Sequence, residues 1–500
     1  MNKIKIGWSE VSIVPEGRRV DLVGQFYERI SGEVETPISV TALAMECGDD
    51  HFIFVSCDLV SISNVMLQKI RAYIPDDCGF DKSKLITNAI HTHTSMGYTN
   101  RSDALKANSG AGTLAVLNEM KPDHIKYVPL THDDSPDIMR DDEARDFLIE
   151  RIARAATEAW NNRAEGAYAC GFGRAAVGLC RRVCYDDGSA KMWGNANHAN
   201  FTELESGNDS GIELMFTYDT DKKLTGVVAN VACPAQVLEH QSFISSDYMG
   251  KLKGLIREKY GKDVNLLGLI SPAGDMCPRD LIRWVDSPVC KNDPNIHRDE
   301  VVERRADPSM FDIKGCEKAA KRIANEIFWA LDDVTEYVTE TEITHKNLTI
   351  DMPIRKVTIA EYENAEKIIR DFFATCKGDI NYEDNARLQI YSGIVARYKL
   401  QQTKSLYPIE VHVLRVGDVA FATNPYELFL NYGNQIRARS KAKQTFLVQL
   451  CCGSFAYLPT EKAEKGSHYS AFVGSGNSGH EGGELLVRKT IQEINALFAE

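Results

Sequence analysis

An α/β chain (α+β mixed), with layered mixed β-sheets flanked by helices, is predicted by three features of the sequence. Short, near-continuous apolar runs recur, as at 51–59 (HFIFVSCDL), 225–232 and 264–270, and such runs suit strands buried on both faces. Segments of helical periodicity lie between them, at 65–73, 141–161 and 248–260. The strand, helix, strand order of 51–59, 65–73 and 85–90 is that of an α/β layer.

Composition narrows the function before any motif does. The 500 residues are 43% hydrophobic and 26% charged, as in an ordinary soluble globular protein. A net charge of −13 argues against nucleic acid or an anionic membrane surface, both of which select basic patches. A small-molecule substrate is the expectation, with no membrane partner; the oligomeric state is open. The N-terminus enters an alternating strand directly, without an apolar leader, and no apolar run reaches the ~18 residues of a membrane helix. Thirteen cysteines without a repeated spacing do not make a disulfide framework. Together these make a cytoplasmic location the expectation.

Taken in order, residues 4–14 and 39–46 read as strands, separated by a loop with Gly24, Phe26 and Tyr27. The run 51–59 ends on Asp58, either a cap or an outer partner for a metal-bound histidine. The β-rich run from Leu85 then ends in His91-Thr92-His93. Two residues apart on a strand, these imidazoles would point the same way and form half of a metal site. Residues 101–140 are polar and weakly periodic and read as a surface insertion. The helix at 141–161 starts in acids, as the helix dipole prefers. Strands at 212–216, 225–232 and 264–270 follow, the last leading into Ser271-Pro272-Ala273-Gly274-Asp275-Met276-Cys277-Pro278. A serine where a buried strand meets a Gly/Pro loop is the layout of a presented nucleophile, although serine is also common in turns. Helices at 311–332, 360–376 and 383–400 precede a hairpin at 412–423 with a Gly-Asp turn, which delivers Asn424-Pro425-Tyr426-Glu427. A strand from Gln444 reaches Cys451-Cys452-Gly453, Tyr457 and a polar loop with His468 and Tyr469. No internal repeat or clean linker divides the chain, so residues 1–500 read as one domain.

Several separated stretches, in the same order, resemble the neutral/alkaline ceramidase superfamily, a group of zinc-dependent amide hydrolases. That family has an acid-ended strand, a strand ending His-Thr-His-Ser/Thr, an Asn-Arg-Ser segment, a His-Pro-x-Ser segment with an Asp fourteen residues on, a Ser-Asn-x-Gly-Asp-x-Ser-Pro loop, a Pro-Gly-Glu strand end and a late tyrosine loop. Here VSCDL, IHTHT, Cys180-Arg181-Arg182, Cys233-Pro234 with Asp247, Ser271 to Asp275, Pro425-Tyr426-Glu427 and His468-Tyr469 occupy those places. The resemblance implies His91, Glu427 and Tyr469 as zinc ligands, His93 as a catalytic histidine, Ser271 as the nucleophile and Arg181 beside the oxyanion, helped by backbone N–H groups of the Gly274 loop. Asp275 joins the catalytic group, and Gly274, Tyr457 and the loop glycine Gly24 are assigned to substrate contact. Tyr457 is also the rival of Tyr469 as ligand.

Two departures follow. The family's second zinc histidine is Cys233 here, and thiolate is itself a good zinc ligand; otherwise His240 replaces it, or the metal is lost. The family's Ig-like C-terminal domain and secretion signal are also missing from the pattern. The expected activity is therefore zinc-assisted acyl transfer on a small, polar N-acyl compound rather than a membrane lipid. A lactonase or esterase acting on a sugar-derived or cyclic substrate needs the same groups. A binding protein that has lost its metal is the alternative of another class.

Overall fold

The computed structural model describes residues 2–25, 28–98, 113–125, 133, 135–282, 312–378, 380 and 382–499. Three mixed sheets carry the fold, and each repeats one local device. The first runs Glu340–Thr341, Asn2–Ser12, Ser39–Cys47, Asp50–Cys57, Leu85–Ala89; the second Ala167–Arg174, Gly211–Tyr218, Leu224–Val231, Asn265–Ile270; the third Ile343–Pro353, Leu406–Val416, Val419–Thr423, Gln444–Val448. In every sheet antiparallel neighbours lead to one final parallel pair. A parallel pair needs a crossover, supplied by the helices Asn64–Tyr73, Asp247–Tyr260 and Leu430–Arg439 respectively.

The three parallel pairs end at Cys57/Ala89, Val231/Ile270 and Thr423/Val448. Their carboxyl ends are laced together by backbone hydrogen bonds. Ala89 donates to Leu450 O at 3.3 Å, Gln449 to Ile270 O at 2.9 Å and Ala235 to Ile90 O at 3.1 Å. Open α/β sheets place their ligands beyond such ends.

One apolar cluster joins all three sheets, with Leu43, Phe54 and Ile86 from the first, Met215, Val228 and Leu267 from the second, and Leu414, Phe421 and Phe446 from the third. Helices cover the outer faces: Asp141–Asn161 the first sheet, Asp247–Tyr260 and Ile313–Asp332 the second, His480–Leu497 the third. The predicted layers of mixed sheet and helix are thus observed, and most predicted elements fall within a few residues of their place.

Two expectations change. The strand carrying the histidines stops at Ala89, so His91 and His93 lie on irregular chain beyond it. Of the stretch at 101–140, much lies outside the described residues, but Val116, Leu117 and Ile125 pack on the helices Ile359–Thr375 and Tyr382–Leu400, so this part is docked rather than a free surface insertion. Among the described residues no helix is long and apolar enough to cross a membrane.

Candidate active site

His91 reaches its place through a left-handed backbone, φ 68°, which few non-glycine residues adopt. Its Nδ1 donates to Val60 O at 2.8 Å, so Nε2 carries a free lone pair. That Nε2 lies 3.6 Å from Glu427 Oε2 and 3.3 Å from His93 Nε2. His93 Nε2 accepts from the Gln236 amide at 2.7 Å, which puts its ring proton on Nδ1, facing Glu239 Oε2 at 3.5 Å. Burial, and then the neighbouring His91, pushes the pKa of His93 well down, so its ring is neutral. The bare Nε2 of His91 therefore faces a carboxylate oxygen and the Nε2 of His93, which is engaged by Gln236. Burial alone would raise the Glu239 carboxyl, but its bond to His240 and the nearby Arg181 are among the groups that bring it down to about 2.

Glu427 enters from the third sheet on the short strand Glu427–Leu428, which pairs in parallel with Tyr457–Leu458. This pairing sets the Tyr457 hydroxyl on Glu427, and burial together with that carboxylate raises its pKa well above the usual tyrosine range. Arg181, 2% exposed, donates from Nη2 to Gly274 O at 2.8 Å and to Tyr457 Oη at 3.2 Å. Burial opposes the guanidinium charge, and Tyr457, Glu427, Cys277 and Tyr469 around it outweigh that opposition. Its neighbour Arg182 points elsewhere, gripping Glu205 at 2.6 and 3.0 Å and the carbonyls of Ser467 and Tyr469. One arginine thus serves the site and the next fixes the loop that carries Tyr469.

Cys277 follows the second sheet on the two-residue strand Met276–Cys277, which pairs with Leu179–Cys180 just before Arg181. It is fully buried against Trp193 and Tyr469. Burial pushes its thiol up to about 12 although Arg181 acts to lower it.

Several expected residues stand elsewhere. The buried Ser271 hydroxyl accepts from Arg437, which is paired with Asp209 at 2.9 Å, so it is tied into a half-buried polar cluster. Asp275 is structural: its Oδ1 accepts from Leu430 N at 2.8 Å, and burial raises its pKa. The Gly274 N–H is engaged by Leu428 O at 2.9 Å, so it is not a free oxyanion donor; a Cβ there would meet Glu427 O at 2.3 Å. Gly24 is a seat for His93: at φ 112°, its Cβ would stand 2.4 Å from the imidazole Cγ. Asp58 anchors Ser39 N at 2.8 Å, and the outer partner of His91 is Val60 O instead. Asp247 caps the turn before its helix through Leu238 N at 2.8 Å, with burial raising its carboxyl to about 7. The Cys233 thiol points to Val177 O and Pro234 O, both at 3.5 Å, and burial raises its pKa well above normal. Among the described residues, the group of three His, Cys, Asp or Glu ligand atoms within 4.8 Å of one another does not include it. His240 bonds Glu239 rather than standing in for a ligand. Tyr469 packs edge-on against Tyr457, with ring centroids 5.7 Å apart.

The chemistry of these donors fits a metal ion. Tautomers fixed from outside leave the His91 lone pair aimed at a carboxylate, an arrangement that repels unless a cation lies between. His91, Glu427 and Tyr457 are the residues that would hold it.

No family model matches this chain, and no curated protein matches its sequence. Among solved structures, neutral ceramidase from Pseudomonas aeruginosa superposes with a TM-score of 0.67 at 14% identity, over 99% of this chain and 75% of that one. A structure described as ceramidase complexed with C2 gives 0.65 and 13%, over the same shares. The fold is that of neutral ceramidase. Within the loop Ser271-Pro272-Ala273-Gly274-Asp275-Met276-Cys277-Pro278, it is Cys277 rather than Ser271 that stands beside Arg181.

Proposed function

We propose that this protein is a metal-dependent hydrolase that cleaves the amide bond of a small, polar N-acyl compound, with Cys277 as the acyl acceptor. The observation that carries the reading is the convergence of His91, Glu427, Tyr457, Arg181 and Cys277 from the ends of all three sheets. The neighbours of this fold are described as ceramidases, a name that denotes hydrolysis of an amide.

Arg181 and the Tyr457 hydroxyl are the buried donors suited to the substrate carbonyl oxygen, and such donors typically supply a few kcal/mol to a tetrahedral transition state. The sulfur of Cys277 attacks the carbonyl carbon, the C–N bond breaks, and the amine leaves with a proton; water then cleaves the thioester and restores the thiol. A zinc ion held by His91, Glu427 and Tyr457 would supply a Lewis acid and a water of lowered pKa. His93, neutral and braced by Gln236 and Glu239, orients the His91 side of the site. Burial keeps Cys277 a thiol at neutral pH, so its attack requires loss of that proton to a base as substrate binds; direct attack by water on the carbonyl is the alternative route. The small substrate is supported by enclosure, since His91, His93, Arg181 and Cys277 are all under 10% exposed.

The test is turnover of short N-acyl compounds beside a lactone panel, in wild type, Cys277→Ala and His91→Ala. Amide turnover lost in both variants is expected. Lactone turnover without amide turnover would overturn the amidase reading, and amide turnover retained in Cys277→Ala would establish the direct water route.

A further inference from the structure

Away from that site, the third sheet carries a second set of ligand-type side chains. Glu410 and His412 lie two apart on the strand Leu406–Val416, so they share a face, and Cys452 follows the strand Gln444–Val448. One ligand atom from each lies within 4.8 Å of the other two. His412 is fully buried and Cys452 is 1% exposed.

The hydrogen bonds around these residues are one proton short. His412 Nε2 lies 2.7 Å from Glu410 Oε1, His412 Nδ1 lies 2.8 Å from His345 Nε2, and His345 Nδ1 lies 3.2 Å from His51 O. The row starts on a carboxylate and ends on a carbonyl, both acceptors. Three contacts need three protons, and two neutral imidazoles carry two. A third proton would make one ring a buried cation, which burial disfavours. If His412 Nε2 instead gives its lone pair to a metal, His412 Nδ1–H donates to His345 Nε2 and His345 Nδ1–H donates to His51 O. Every ring nitrogen is then used and both rings are neutral. An outward relay of this kind is how metal-bound histidines are normally held. Arg71 grips Glu410 at 2.6 and 2.9 Å and would balance the charge of the carboxylate.

We infer that Glu410, His412 and Cys452 form a second metal site, distinct from the one at His91, which takes zinc or another divalent transition metal. A donor set of imidazole nitrogen, thiolate sulfur and carboxylate oxygen is typical of zinc. Binding releases the thiol proton of Cys452, while the two imidazole protons are kept and shift so that both stand on Nδ1. The site ties sheets together: Cys452 N–H donates to Thr87 O of the first sheet at 2.9 Å, and His345 and Arg71 bring in the chain around it.

The test uses the full chain loaded with zinc or cobalt(II), in wild type, Cys452→Ser and His91→Ala. Wild type is expected to hold near two metal ions, and each variant near one. Cobalt protein should show thiolate-to-cobalt charge-transfer absorption in wild type and in His91→Ala, absent from Cys452→Ser. A thermal midpoint that rises on zinc addition in wild type should not rise as far in Cys452→Ser. Absence of the thiolate band in wild type, or its survival in Cys452→Ser, would overturn the site. Failure of the His91 site alone would remove the His91-dependent metal and leave this band in place. Because Cys452→Ser is close to isosteric, the result does not depend on whether His412→Ala folds.

Discussion

Two pairs of buried imidazoles occur here at nearly the same spacing, with ring centroids 4.9 Å apart for His91 and His93 and 5.1 Å for His345 and His412. Their settings differ. His345 and His412 sit on neighbouring strands of a regular ladder and are linked in one row of hydrogen bonds. His91 and His93 lie on irregular chain past a strand end, each turned by a separate outer partner so that their Nε2 atoms stand 3.3 Å apart. The regular setting suits a fixed structural ion. The irregular one draws on groups from all three sheets, Val60, Gln236 and Glu427, which fix the two rings from different sides.

Variants can break this distinction in order of size. Cys277→Ala should lower kcat for N-acyl substrates by about 10³ or more, the usual scale for losing a nucleophile, with little change in thermal midpoint. A loss under tenfold would remove Cys277 from the chemistry. His91→Ala and Glu427→Gln should each release the metal of the irregular site and lower kcat by about 10² or more, measured by elemental analysis beside kinetics. Retention of both ions in both variants would mean that the donors are misassigned.

Gly24→Ala tests the seat beneath His93. A Cβ at φ 112° and 2.4 Å from the ring must displace it, so a stability loss of about 1–3 kcal/mol is expected with a fall in kcat. Glu239 gives a pH signature. Its carboxyl is held at about 2, below its unfolded value, so its contribution of up to about 3 kcal/mol is present above about pH 4.5 and is lost as pH falls toward 2. Denaturant titrations should show a shallower acid slope in Glu239→Gln than in wild type. Ser271→Ala is the smallest: about 1 kcal/mol from the lost Arg437 bond, and kcat within about threefold.

The sheets and crossovers were legible because buried strands are written as apolar runs and helices as periodicity, as at 51–59 and 141–161. His91, Glu427 and Arg181 were picked out by their motifs, and the fold brings them close to one another. The errors have physical reasons. Ser271 also ends a strand, but its side chain turns to Arg437, 166 residues away, and no local pattern records that partner. Tyr457 displaced Tyr469 because a two-residue parallel pairing with Glu427, too short to show in periodicity, set its direction. Gln236 and Glu239 went unread since their role depends on where the His93 ring turns. Cys233 offers the right atom, but its thiol is turned to backbone carbonyls.

The most direct measurement is intact and peptide mass analysis of the enzyme quenched during turnover of an activated N-acyl or ester substrate. The account predicts one acyl group per chain, mapped to the peptide holding Cys277, labile to hydroxylamine and absent from Cys277→Ala. An acyl group on Ser271, or full turnover in Cys277→Ala without any adduct, would contradict it.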